Sequence, residues 1–196
     1  MPKRTTEEIA SLLSLLLHPV AVATMLFLAL CLHYAPRRFW LLFGLSLLFV
    51  LVLPVAITLG MRAAGRVSNS DITERRERLL PYTLITAGYL AGAAVLRLVG
   101  APREVVAAMA CYFTVTAVCT AITAFWKISM HMAGIAGPVV AASLLLPKTA
   151  LLSIALVPLL AWARLVLRRH TPAQIAGGAL TSAVVTYLTL RALGVV

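Results

Sequence analysis

A chain of 196 residues of which 62% are hydrophobic, with a mean hydropathy of +0.99, has too few polar side chains to coat a soluble globule and reads as an integral membrane protein. Its 17 Lys+Arg against 6 Asp+Glu give a net charge of +11. No aromatic and basic interleaving accompanies that charge, so nucleic acid is excluded as a partner and anionic phospholipid headgroups at loop ends account for it.

In chain order, MPKRTTEEIASLLSLLLHPV begins basic and turns apolar. Glu7 and Glu8 interrupt the basic region and no small-residue cleavage site follows, so a retained segment is expected rather than a signal peptide. Apolar runs bounded by charge, Pro or Gly then predict spans near 13–34, 39–61, 80–98, 104–126, 132–147, 149–167 and 174–193. The expected fold is an all-α polytopic transmembrane helix bundle of six to seven spans, in one domain covering 1–196. The fifth and sixth spans meet at Pro147-Lys148, which predicts a tight hairpin, and the one long polar segment is 66–82. His18 and His33 read as interfacial polar residues, and Cys31, Cys111 and Cys119, inside apolar runs, as small core residues.

If all seven spans cross, the loops after spans two, four and six share one face with the N-terminus. These loops contain SDITERRERLLPY, WKISMHMAG and ARLVLRRHTPAQ, so one face collects Arg75, Arg76, Arg78, Lys127, Ser129, His131, Arg164 and His170. Imidazoles beside fixed guanidinium groups suit an anion held while a bond to it is exchanged, and phosphate is the obvious candidate. One histidine attacks phosphorus, the other protonates the leaving oxygen, and the cations hold the remaining oxygens. Thr171-Pro172-Ala173-Gln174 reads as a helix N-terminus with a capping box, which puts His170 just outside it, where free N–H groups favour an anion. Gln174 serves the capping box, the His170 ring, or both. Asp71 is the chain's only aspartate, too few for an Mg²⁺-diphosphate site, and two histidines without a placed carboxylate or thiolate make a poor zinc site, so no metal or other cofactor is expected.

In this order the three segments resemble the type 2 phosphatidic acid phosphatase (lipid phosphate phosphatase) superfamily, whose pattern is K-x6-R-P, then P-S-G-H, then S-R-x5-H-x3-D. The third segment matches best, with Arg164, five residues, His170, three residues and Gln174; the second retains Ser129 and His131; the first appears as Asp71, six residues and Arg78. The phosphatase-like core covers about 66–193. The resemblance implies that His170 is the nucleophile forming a phosphohistidine and His131 the acid that protonates the leaving alkoxide. Arg78 and Arg164 would bind phosphate oxygens and Ser129 would donate to one of them. Asp71 stands where the family has lysine, so Arg75 or Arg76 would supply that cation, with Lys127 as a further neutralising charge. Gln174 replaces the aspartate that orients the nucleophilic histidine.

Simpler readings stand beside these. Arg75 and Arg76 suit an interfacial helix turn, Arg168 and Arg169 headgroup contacts, and Lys127 a snorkelling anchor after Phe125-Trp126. The expected function is hydrolysis of a lipid monophosphate or isoprenoid (di)phosphate in a prokaryotic plasma membrane. The alternatives are an impaired relative that binds headgroups and a small lipid transporter. The N-terminal face holds 11 of the 17 Lys+Arg, or 8 against 6 once Arg78, Lys127 and Arg164 are set aside as site residues, which leaves the orientation open.

Overall fold

The computed structural model describes residues 3–68, 72 and 74–196. Regular structure among them is helical throughout: α1 (Lys3–Leu16), α2 (Pro19–Tyr34), α3 (Phe39–Leu47), α4 (Leu53–Ala63), α5 (Leu79–Leu98), α6 (Arg103–Phe125), α7 (Met130–Leu145), α8 (Leu156–Val166) and α9 (Pro172–Ala192). Five stretches are long and apolar enough to cross a bilayer: Pro36–Ala63, Arg76–Leu98, Arg103–Phe125, Lys148–Val166 and Pro172–Ala192. The 16-residue α7 is a shorter apolar helix. It spans about 24 Å at ~1.5 Å per residue.

The expected first span is broken. α1 and α2 meet at a 44° bend, because Pro19 offers no N–H to continue the ladder and biases His18 away from the helical region. His18 is extended (φ −60, ψ 140) and caps α2, its Nδ1 accepting the Val20 N–H at 3.3 Å. α1 lies against α8; it buries Ala10 and Ser14 and exposes Leu12, Leu15 and Leu16. That is the pattern of a helix lying along an interface. A second irregularity has the same origin. Leu48–Val52 forms a π-helical turn just before Pro54, which has no N–H for the Val50 carbonyl and crowds the preceding turn.

α5 pairs with α6, α7 with α9, and α6 also packs on α9. Phe27, Leu30, Leu96, Met109 and Leu190 form the main apolar core, in the half of the bundle where α5 ends and α6 begins. There Arg38 donates to the Val99 and Gly100 carbonyls at 2.7 and 3.2 Å, closing the C-terminus of α5. Met132, Ile135, Leu160 and Ile175 form a smaller core beneath the opposite end.

The α7–α9 contact depends on Gly178, where a Cβ would collide with the Ser129 carbonyl and crowd Met132 Cβ at 3.2 Å. Gly178→Ala is expected to destabilise the protein by about 1–3 kcal/mol through overpacking. Gly60→Ala, with nothing within 4 Å of the added methyl, is expected to be neutral or mildly stabilising. Thermal melts of the two purified variants in one detergent check the contrast.

A buried cationic site at one end of the bundle

Three loops and the end of α1 meet at the end of the bundle opposite Arg38. The first loop leaves α4 through Gly65 (φ 67). Gly65 N–H donates to the Arg62 carbonyl and Arg66 N–H to the Met61 carbonyl, the paired bonds of a left-handed helix stop. The loop returns at Arg78, which is only 3% exposed. Its Nε donates to the Ile72 carbonyl at 2.6 Å and its Nη1 to the Ile128 carbonyl at 3.1 Å, so one guanidinium joins the first loop to the second. Ile72 is held at φ 45, an unusual backbone for a β-branched side chain and one found mainly where surrounding structure imposes it. Asp71 lies outside the described residues.

The second loop presents Ser129 and His131. Ser129 N–H donates to the Gln174 carbonyl at 3.2 Å, tying this loop to the start of α9. Ser129 Oγ accepts the Met132 N–H at 3.4 Å and so caps α7; this uses an oxygen lone pair and not the hydroxyl proton. His131 follows on the first turn of α7, 9% exposed.

The third loop carries the other pair. Arg164, in the last turn of α8, is 4% exposed and donates to Ser14 Oγ of α1 at 2.9 Å. Arg168 then adopts φ 52 and Arg169 N–H reaches back to the Arg164 carbonyl at 3.3 Å. This left-handed stop turns His170 inward, to 9% exposure. A non-glycine residue there costs about 1–2 kcal/mol, so Arg168→Gly is expected to raise the melting temperature of the purified protein.

Gln174 performs both roles considered for it. Thr171 Oγ1 accepts the Gln174 N–H at 3.3 Å, and Gln174 Oε1 accepts the Thr171 N–H at 3.2 Å, completing the capping box. The same Oε1 lies 3.2 Å from His170 Nδ1. A carbonyl oxygen only accepts, so Nδ1 carries the proton and Nε2 is left with its lone pair.

Burial lowers the His170 imidazole from its ordinary 6.5 to about 4, and the Arg164 guanidinium pushes the same way. The Gln174 hydrogen bond opposes them, while Arg78 and Lys127 add smaller downward pushes. The imidazole is therefore neutral at neutral pH. Below pH ~6.5 the unfolded chain binds a proton that the folded chain refuses, so stability owed to this group is complete above that pH and declines toward pH 4. Wild type is expected to lose more thermal stability than His170→Gln when melts are compared at pH 7 and pH 4.5.

Four candidates thus form one buried group: Arg78, Arg164, His131 and His170, with Ser129 and Gln174 supporting it and half-buried Lys127 within its field. Arg75 stands apart, its Nη1 closing the C-terminus of α6 on the Thr123 and Ala124 carbonyls. Arg76 is exposed, as are Arg168 and Arg169, in keeping with headgroup contact.

Two participants were not anticipated. Ser14 holds Arg164, and His18, read from sequence as an interfacial residue, faces His131 edge-on with ring centroids 5.1 Å apart. Pro19 packs on Gly134, one turn below His131, and sets that approach. The sequence signal was the pairing of a capping side chain with proline, His18-Pro19, the same device as Thr171-Pro172. A cavity of about 270 Å³, lined by His18 and His131, runs between α2, α4, α5, α6, α7 and α9. Among the described residues, no three His, Cys, Asp or Glu side chains group as metal ligands would. No family model, curated protein or solved structure matches the chain.

Proposed function

We propose that the protein is a metal-independent lipid phosphatase of a prokaryotic plasma membrane, hydrolysing a lipid monophosphate or isoprenoid (di)phosphate through a phosphohistidine. The observation that carries this reading is the burial of His131 and His170 at one end of the bundle among Arg78, Arg164 and Lys127, with His131 also lining an apolar cavity. The spacing of Arg164, His170 and Gln174, and of Ser129 and His131, adds the superfamily resemblance.

In the proposed reaction the tail occupies apolar space and the phosphate lies among the guanidinium groups, whose hold strengthens as the transition state forms. His170 Nε2 attacks phosphorus while Gln174 holds the Nδ1 proton. The bond from phosphorus to the alcohol oxygen breaks, and that oxygen takes a proton from His131. Burial and Arg164 hold the His131 imidazole well below its ordinary 6.5, so it takes up that proton with the phosphate and acts as imidazolium. Water then attacks the phosphohistidine and gives a proton to His131, which releases inorganic phosphate and returns His170 to the neutral imidazole and His131 to the imidazolium that began the cycle. Arg78 and Arg164 hold phosphate oxygens throughout, and the Ser129 hydroxyl donates to one of them.

The test is phosphate release by detergent-purified protein, with EDTA present, from phosphatidic acid, phosphatidylglycerophosphate and prenyl mono- and diphosphates. Release from at least one of them despite chelation is the expected result. Folded protein that releases phosphate from none would overturn the phosphatase reading in favour of headgroup binding or transport.

A further inference from the structure

The cavity that His18 and His131 line is walled mostly by apolar side chains. It follows α7 from His131 to Ala141, ten residues or about 15 Å at ~1.5 Å per residue. Two hydroxyls on its wall, Tyr112 Oη and Thr186 Oγ1, are buried with no hydrogen-bond partner among the described residues. Buried hydroxyls are ordinarily paired, and each unpaired one is costly. A threonine in a helix commonly satisfies itself on the carbonyl four residues earlier. Thr123 does so, donating to the Cys119 carbonyl at 2.7 Å, whereas Thr186 Oγ1 instead lies against Gly137.

Gly134 and Pro138 of α7 line the same space. Gly137 lies six residues along α7 from His131, about 9 Å, and Tyr112 eleven residues along α6 from Thr123 at the site end, about 16 Å. Along the helices the two unpartnered hydroxyls therefore stand roughly 9–16 Å from the cationic end.

We propose that this cavity takes one chain of the lipid into the bundle and recognises an oxygen function on it, a hydroxyl or carbonyl placed roughly 9–16 Å from the phosphate, through Tyr112 and Thr186. The ligand class is a phosphorylated lipid with an oxygenated chain, not a plain hydrocarbon one. Val55 and Leu59 of α4 line the cavity and are themselves exposed, which makes its outer wall continuous with the lipid-facing surface. The proposal rests on the phosphatase reading, since it takes the cationic end as the place of the phosphate.

The experiment uses full-length His170→Ala protein in nanodiscs, so that probes are not consumed, and competes lauryl phosphate and ω-hydroxylauryl phosphate against radiolabelled lauryl phosphate. In a purely apolar cavity the added hydroxyl weakens binding. With partners waiting it strengthens binding by roughly 2- to 10-fold. Tyr112→Phe with Thr186→Val is expected to abolish or reverse that preference while lauryl phosphate binds as before. Equal affinities, or tighter binding of the plain chain by the protein with both hydroxyls intact, overturn the proposal and leave the phosphate site standing. Displacement by neither probe overturns the phosphate site together with it.

Discussion

His170→Ala is expected to abolish lipid-phosphate hydrolysis, by a factor on the order of 10⁴–10⁶ in kcat if histidine is the nucleophile, as for other enzymes stripped of theirs. The expectation follows from the position of the ring. Its Nδ1 is bonded to Gln174, its burial and the neighbouring Arg164 keep it neutral above about pH 4, and its Nε2 lone pair is therefore available at physiological pH. His131→Ala is expected to behave differently. Loss of a general acid costs about 10²–10⁴ when the leaving group is an alkoxide, and far less when it is a phenolate that leaves unaided. Rates for phosphatidic acid and for p-nitrophenyl phosphate, measured on both variants, separate the two roles. Equal losses on both substrates from both variants would remove the division of labour between the histidines.

Gln174→Glu is expected to raise the rate. The replacement is isosteric, so its carboxylate reaches the same His170 Nδ1 and Thr171 N–H that Oε1 reaches at 3.2 Å. A carboxylate also suits the first turn of α9, where the helix dipole favours negative charge. What it adds is charge that stabilises the imidazolium side of the reaction. In a serine protease triad the converse change, carboxylate to amide, costs about 10⁴, though partly through the wrong tautomer. Gln174 already holds the right one, so the expected gain is at least about tenfold, with that figure as its ceiling. The same substitution raises the His170 pKa, which a histidine-selective NMR titration reads without reference to activity. A raised pKa with an unchanged or lower rate would mean that charge at this position does not limit the reaction.

The architecture was largely legible because apolar runs and the charges between them are coded locally. Arg66 and Arg78, Phe125 and Lys127, Arg164 and Pro172 bracket the three loops in the sequence. The seven-span count behind their shared face is not reproduced: among the described residues five stretches, or six with the bent α1–α2 pair, are long and apolar enough to cross. The bonds from Arg78 to Ile128 and from Ser129 to Gln174 bring the loops together. The capping box at Thr171 was legible for the same reason, since its partners are three residues apart.

What escaped is non-local or depends on a single backbone angle. Residues 13–34 read as one span because no charge separates α1 from α2 and an apolar run averages over the His18-Pro19 break. Once that break is missed, His18 reads as an interfacial residue near the start of a span and has no reason to face His131. The grip of Ser14 on Arg164 crosses 150 residues of sequence, and nothing in either neighbourhood announces it. Arg75 looks like a phosphate ligand by charge alone; only the end of α6 beneath it shows that its guanidinium closes a helix. The left-handed turn at Arg168, which aims His170 inward, falls on a residue type that gives no sign of it.

The most direct measurement is to quench the protein during turnover of phosphatidic acid in EDTA and locate any phosphoryl adduct by mass spectrometry under conditions that preserve phosphohistidine. The predicted result is an adduct on His170 that is absent from His170→Ala and that, with p-nitrophenyl phosphate, whose leaving group needs no acid, accumulates when His131 is replaced. Turnover with no adduct on His170 in any of these proteins would contradict the phosphohistidine mechanism.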